Sequence, residues 1–340
     1  MLPFVWSDEC LRHEPVAEVW VGVRTTATEV PARAAAIREA LVEAGAREVV
    51  AATHDDSELL AVHDPALVEF LRTAWDEWSG AALPSDRVVP YIFARSELTG
   101  GRELAPPAAV WARPGLFAYD TMTLIGPGTW EAARAAVDVA LTAVDLVAGG
   151  EPLAYACCRP PGHHVTRALY GGSCYLNNTA IAASSLLERS GGPVAVVDID
   201  AHHGNGTQEL FLGRGDVRTA SVHVDPGAGW FPHFLGFAAE SDDANLNLPL
   251  APGTGDDGWL AAVREAADFA ASAPALVVAL GVDAAAGDPE SPLEVTAAGY
   301  REAGRILGEL GLPTVVVQEG GYDLATIGPL VVETLTGLAR

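Results

Sequence analysis

Two carboxylates and two imidazoles crowd one short stretch, Asp198-Ile199-Asp200-Ala201-His202-His203, with Gly204-Asn205-Gly206-Thr207 directly behind. The stretch opens as the apolar run Val194-Ala195-Val196-Val197 after Gly191-Gly192-Pro193. That is the pattern of a strand buried on both faces of a parallel sheet. Charged groups are costly to bury unless they are paired or hold a metal. Strand side chains alternate, so Asp198, Asp200 and His202 are expected on one side. The simplest use of such a cluster is a divalent metal. A catalytic zinc centre takes three ligands from His, Asp or Glu and keeps one position open. Asp200, His202 and Asp283 meet that count, Asp283 closing another apolar run as Gly281-Val282-Asp283.

The bland readings are a turn carboxylate for Asp283 and hydrogen-bonded core imidazoles for His202 and His203. The bracketing Asp and Gly-Asn-Gly argue against the second, although His203 itself reads as structural. A second imidazole pair, His163-His164, follows Arg159-Pro160-Pro161-Gly162. Adjacent histidines on a turn can act as base and proton-shuttling acid beside an activated water. Each needs an orienting acceptor, for which Asp198 and Asn205 remain. Tyr322, after Gly320-Gly321, offers a phenol that can polarise a carbonyl. Together these groups describe metal-assisted hydrolysis of a carbonyl substrate.

The elements that must position them read as strand, polar loop, helix, repeated. Helices are expected over Pro31–Ala44, Ser57–Trp78 (broken near Asp64-Pro65), Thr129–Val147 with Thr129 as N-cap, Asn178–Arg189, Asp257–Ala271, Thr296–Leu310 and Ile327–Leu338. Strands are expected over Glu48–Ala52, Leu153–Cys158, the 194–198 run, Thr219–Val224, Ala275–Leu280 and Pro313–Gln318. Residues 1–30 and 226–257 read as irregular. Residues 79–128, rich in proline and aromatics, read as a loop insertion at a substrate rim or an interface. The alternation predicts an α/β fold, one doubly wound parallel sheet flanked by helices, in a single domain over 1–340. Its ligands belong beyond the carboxyl ends of the strands, where His163, His164, Asp200, His202, Asp283 and Tyr322 all fall.

The net charge of −25 argues against binding nucleic acid or an anionic membrane and would steer cations inward. Four cysteines, Cys10, Cys157, Cys158 and Cys174, form no Cys-x-x-Cys pair and read as reduced thiols of a cytoplasmic protein. No apolar run is long enough to span a bilayer.

The chain resembles the histone deacetylase superfamily, which has the arginase–deacetylase fold. The resemblance rests on Arg159-Pro160-Pro161-Gly162-His163-His164, Gly172-Ser173-Cys174-Tyr175-Leu176-Asn177-Asn178, the Asp198–Thr207 stretch, Gly281-Val282-Asp283 with Gly287-Asp288-Pro289, and Glu319-Gly320-Gly321-Tyr322. It is most similar to bacterial acetylpolyamine amidohydrolases, through Val62-His63-Asp64, Gly126–Glu131, Asp225-Pro226 and Phe231–Phe237. The resemblance implies a zinc deacetylase, with Asp200, His202 and Asp283 as ligands. Iron(II) also suits that donor set. It implies His163 and His164 as the catalytic pair, partnered by Asn205 and Asp198 respectively, and Tyr322 at the oxyanion. Asp120, Gly172, Ser173, Phe231 and Gly321 would line the substrate. Structural potassium or sodium would sit at Asp198, Asp200, His202, Ser221 and Val222, and near Phe211, Arg214 and Val217. A small N-acylated amine substrate and a homodimer are implied.

Three departures matter. Ser173 replaces a usual aromatic tunnel wall. Trp111 and Met122 stand where polyamine-specific members carry glutamates. Asp120 resembles a rim aspartate, or else is a solvated loop carboxylate. The competing functions are a two-metal ureohydrolase, which needs a carboxylate where Gly204 stands, and a catalytically silent binding homologue.

Overall fold

The computed structural model describes residues 1–102 and 104–339. Its strands are β1 Pro3–Trp6, β2 Ala17–Trp20, β3 Val23–Thr26, β4 Arg47–Val50, β5 Leu153–Ala156, β6 Val194–Asp198, β7 Val217–Val224, β8 Asn245–Leu250, β9 Ala275–Leu280 and β10 Thr314–Gln318. The helices are α1 Ala32–Glu43, α2 Ser57–Val62, α3 Pro65–Gly80, α4 Ser96–Thr99, α5 Pro114–Phe117, α6 Thr129–Ala148, α7 Asn178–Ser190, α8 Asn205–Phe211, α9 Asp256–Ala270, α10 Ala297–Gly308 and α11 Ile327–Leu338.

One eight-stranded sheet runs β4-β1-β5-β10-β9-β6-β7-β8, and every pairing in it is parallel. Parallel strands require crossovers, and the crossover helices cover both faces. Neighbouring residues feed opposite layers, as the pleat demands. Val196, Val277 and Val315 pack with α6 and α7 residues such as Leu141, Val144 and Ile181. Val197, Val278 and Val316 pack with Ile37, Trp259, Tyr300 and Leu330 on the other side.

The structure corrects the reading of residues 1–30 and 226–257 as irregular. β1 is buried along its length and lies between β4 and β5; its four residues and Pro3 are too short a signal to separate from a loop. β2 and β3 form a hairpin outside the main sheet, turning at Val21-Gly22 with both φ positive. β8 is an edge strand, where Pro249 is tolerated because one side needs no donor. Thr129 does not cap α6 but begins it after Gly128, and its hydroxyl accepts the Gly126 N–H at 2.9 Å. The short α8, begun by Asn205, lies in what the sequence shows only as glycine punctuation. Between α3 and α6 the helices among the described residues are short, α4 and α5 having four residues each. No described helix is long and apolar enough to cross a membrane.

His63 ties the loop after α2 to the start of α7. Its Nε2 accepts the Asn177 N–H at 2.9 Å, so Nδ1 carries the proton that bonds the Thr166 carbonyl at 3.0 Å. Asn177 in turn caps α7 through the Ala180 N–H. Both ring nitrogens are committed to the neutral form, and burial pushes His63 down to about 4. A histidine whose folded pKa lies below its unfolded value contributes stability that is complete above pH ~6.5 and lost as pH falls toward 4, on the order of 3 kcal/mol. Denaturant titrations of wild type and His63→Gln should therefore converge as pH falls from 7 to 4. A difference between them that does not change with pH would refute this assignment.

Candidate active site

Strands β5, β10, β9 and β6 are adjacent in the sheet although far apart in sequence. Their carboxyl ends lead into Cys157–His164, Glu319–Tyr322, Gly281–Asp283 and Asp198–His203. Sheet order thus gathers the polar loops at one edge, where such folds bind ligands.

Ligand atoms of Asp200, His202 and Asp283 lie within 4.8 Å of one another. His202 Nδ1 is 3.2 Å from Asp200 Oδ1 and 3.0 Å from Asp283 Oδ2. The remaining oxygens are fixed by backbone: Asp200 Oδ2 accepts from Gly320 N at 2.7 Å, and Asp283 Oδ1 from Ala201 N at 2.8 Å. β6 ends at Asp198, so the loop and these bonds orient Asp200 and His202 where strand alternation no longer applies. Both carboxylates are fully buried. Burial, and next the neighbouring Asp200 charge, push Asp283 up to about 7. Two buried carboxylates facing one imidazole are short of positive charge, and they match the donor set of a divalent metal.

The tandem histidines flank this triad, their rings 4.0 Å apart between centroids. Their partners are the reverse of the expected pairing. His163 Nδ1 meets Asp198 Oδ2 at 2.8 Å, and His164 Nδ1 meets Asn205 Oδ1 at 2.7 Å. α8 begins at Asn205 and so aims its amide at His164, whereas Asp198 stays at the strand end behind His163. Burial opposes charge on both rings, but the Asp198 and Asp200 carboxylates outweigh it at His163 and raise it to about 10. At His164 burial and the His163 charge act together and push it well below the usual range. His163 Nε2 lies 3.8 Å from Asp200 Oδ1, at the edge of the triad.

Glu319, which the sequence reading quoted but gave no role, joins two of these loops. Its Oε2 accepts the N–H groups of Gly162 and His163 at 2.6 and 3.1 Å, and its Oε1 accepts from Thr179 Oγ1 at 2.6 Å. Arg33 and Glu29 were also missed. Arg33 donates to the carbonyls of Glu319 and Gly321 and lies 4.6 Å from the Tyr322 ring centroid. Glu29 Oε1 accepts from Arg33 at 2.7 Å and from Arg159 at 2.9 Å. The one available signal was an arginine on the apolar face of α1. Asp288 holds the Tyr322 N–H at 2.7 Å.

The expected substrate wall converges as well. Phe231 lies 4.8 Å from the His164 ring and 6.3 Å from Tyr119. Gly172 has φ +59, and a Cβ there would stand 2.4 Å from His164 Cδ2, so only glycine fits beside this ring. Ser173 also has positive φ. Asp120 is neither a solvated carboxylate nor a free one. Its Oδ1 accepts the Met122 and Thr123 N–H groups, each at 2.9 Å, and its Oδ2 the Gly172 N–H at 2.6 Å. Trp111 is exposed, while Met122 lines a cavity beside His202. At Gly204 a Cβ would lie 2.3 Å from Asp198 Oδ2, so the extra carboxylate of a two-metal ureohydrolase has no room. Of the residues implied for monovalent cations, Ser221 is the register partner of Asp198, and Val222 follows it in β7. Phe211, Arg214 and Val217 form a separate group, where the Phe211 carbonyl accepts the Arg214 N–H. The four cysteines are free and buried.

Residues 27–338 match the family model of the histone deacetylase domain. The chain is 38% identical to the acetylpolyamine amidohydrolase of Mycoplana ramosa, over 98% of this chain and 99% of that protein. It is also 38% identical to acetylpolyamine amidohydrolase 1 of Pseudomonas aeruginosa, over 98% and 97%. The crystal structure of acetylpolyamine aminohydrolase from Burkholderia pseudomallei superposes with a TM-score of 0.92 at 34% identity, covering 100% of this chain and 99% of that one.

If the triad is a metal centre, one divalent ion should bind per chain. Metal analysis after dialysis should find zinc retained by wild type and lost from Asp283→Ala. Because the ion binds only the folded state, chelation should lower Tm by several degrees in wild type and leave Asp283→Ala unmoved. Equal zinc content in both proteins would refute the assignment.

Proposed function

The chain belongs to the histone deacetylase family, as an enzyme that hydrolyses the amide of an acetylated amine, and we propose that its substrate is a small acetylpolyamine. The observation that carries the catalytic reading is the convergence of two imidazoles with different partners on one Asp-His-Asp triad. The acetylpolyamine assignment draws on the names of the relatives. An acetyl-lysine peptide and a small N-acetylated metabolite are the other substrates of this chemistry.

Asp200, His202 and Asp283 are the residues we assign to zinc, with iron(II) as a chemical alternative. When bound, the metal supplies Lewis-acid activation of the carbonyl and of water. His164, kept neutral and held at Nδ1 by Asn205, takes the water proton at Nε2 and returns it to the departing nitrogen. His163, paired with Asp198, keeps a positive charge beside the developing oxyanion. Tyr322 donates its phenolic O–H to the same oxygen, from a turn pinned by Arg33 and Asp288. The products are acetate and the free amine. Asp120 shapes the wall by locking the Gly172-Ser173 turn, and Gly321 lets the tyrosine turn bend. Potassium or sodium at the Ser221 and Phe211 groups belongs to this proposal as structural ions. So does a homodimer, supported by the exposed Tyr91, Leu98 and Trp111 of the insertion. Buried free thiols support a cytoplasmic setting.

In the zinc-loaded enzyme, Tyr322→Phe and His164→Ala should each lower kcat for acetate release from acetylputrescine or acetylspermidine by about 10²–10⁴, with zinc content unchanged. Variants that retain full turnover would remove these residues from the mechanism.

A further inference from the structure

The turn that carries the tandem histidines has few hydrogen-bond donors of its own. Pro160 and Pro161 have no N–H, so the first donors after Arg159 belong to Gly162 and His163. Both point at one atom, Oε2 of Glu319, at 2.6 and 3.1 Å. The His163 carbonyl is held from the other side, by the N–H groups of Gly206 and Thr207 at 3.0 and 3.2 Å. Gly162 is pressed onto the start of α7, where a Cβ would stand 2.5 Å from Asn178 N.

We propose that Glu319 is a positioning residue for the reaction, a side chain that touches no substrate but aims His163 and His164 at the Asp200-His202-Asp283 triad. This rests on the deacetylase reading above and adds the residue that holds the two halves of the site at a fixed separation.

The two ends of Glu319 face different partners. Its main chain belongs to the triad side. The Glu319 N–H donates to the Leu280 carbonyl at 2.9 Å, at the end of the strand that leads to Asp283. The next N–H, that of Gly320, donates to Asp200 Oδ2 at 2.7 Å. Its side chain belongs to the histidine side, where Oε1 is braced by the Thr179 hydroxyl of α7 at 2.6 Å. The single residue that follows β10 therefore spans from the triad to the histidine turn.

A carboxylate is a costly choice at this position. Glu319 is fully buried and forms no ion pair with any described residue. A buried charge without such a partner is expensive, and burial pushes this carboxyl up to about 7. The charge of His163 is the largest influence opposing that rise, so the histidine that Glu319 holds by its peptide is also its counter-charge. All three of its hydrogen bonds are accepted, which is the pattern of the ionised form. A charged oxygen holds two N–H groups more firmly than a neutral one would, and rigidity is what a proton-transferring pair requires.

The test measures kcat and KM of the zinc-loaded enzyme on acetylputrescine, with kcat expressed per bound zinc. Glu319→Ala should lower kcat by about tenfold to a hundredfold with KM unchanged. Glu319→Gln keeps an oxygen for both N–H groups and should restore kcat to within about threefold of wild type. Independently of turnover, the Gly162 and His163 amides should exchange with deuterium about tenfold faster in Glu319→Ala than in wild type or Glu319→Gln. Wild-type kcat in Glu319→Ala, a loss carried in KM, equal losses in both variants, or amides equally protected in all three proteins would overturn the assignment and leave the deacetylase reading standing. Should Glu319→Ala not fold, Thr179→Val removes only the brace and should lower kcat by about fivefold at unchanged KM; wild-type kcat there would overturn the assignment equally. No turnover by wild type of either acetylputrescine or an acetyl-lysine peptide would count against the deacetylase reading, and the positioning role would fall with it.

Discussion

The central constraint is electrostatic. Asp200 and Asp283 are fully buried, face the same imidazole, and leave the strand ends of β6 and β9 side by side. Like charges at that depth cannot persist without compensation. Backbone N–H groups of Gly320 and Ala201 satisfy one oxygen each, but hydrogen bonds do not cancel charge. The imidazoles of His202 and His163 offset part of that charge, and a divalent ion held by Asp200, His202 and Asp283 would supply the rest. The rest of the site is arranged around that requirement.

A second network holds the loops in register. Glu319 accepts from the backbone of the tandem-histidine loop, while Arg33 grips the backbone of the tyrosine turn. Arg33 shares Glu29 with Arg159 from the start of the histidine loop. Acid, base and phenol are thus tied to one another through buried charges rather than each to its own strand. Removing one member of such a network strands the others, a far larger effect than losing a surface ion pair.

Much of this was legible in the sequence because the chemistry is written in short motifs at the ends of apolar runs. Six strands of the α/β pattern, β4, β5, β6, β7, β9 and β10, the triad and the histidine pair all follow from that. The partners of the histidines do not, because the exchange of Asp198 and Asn205 depends on where β6 stops and α8 starts. Strand order was also hidden: nothing in the chain says that β10 and β9 insert between β5 and β6. β1 and β8 were lost for local reasons, one being too short and the other carrying Asn and Pro at an edge. Arg33 was hidden because a helix pattern treats a buried arginine as a surface residue.

Among the described residues the β2–β3 hairpin shares no strand pairing with the main sheet, yet it lines one side of the cavity beside His202. The reacting groups, by contrast, hang from the four central strands. The reacting groups and the outer wall of the cavity beside them therefore belong to mechanically separate parts. Mutations can accumulate in the hairpin, or the hairpin can be exchanged whole, at little cost to the parallel core. A fold divided in this way can diversify its diet while its reaction stays fixed.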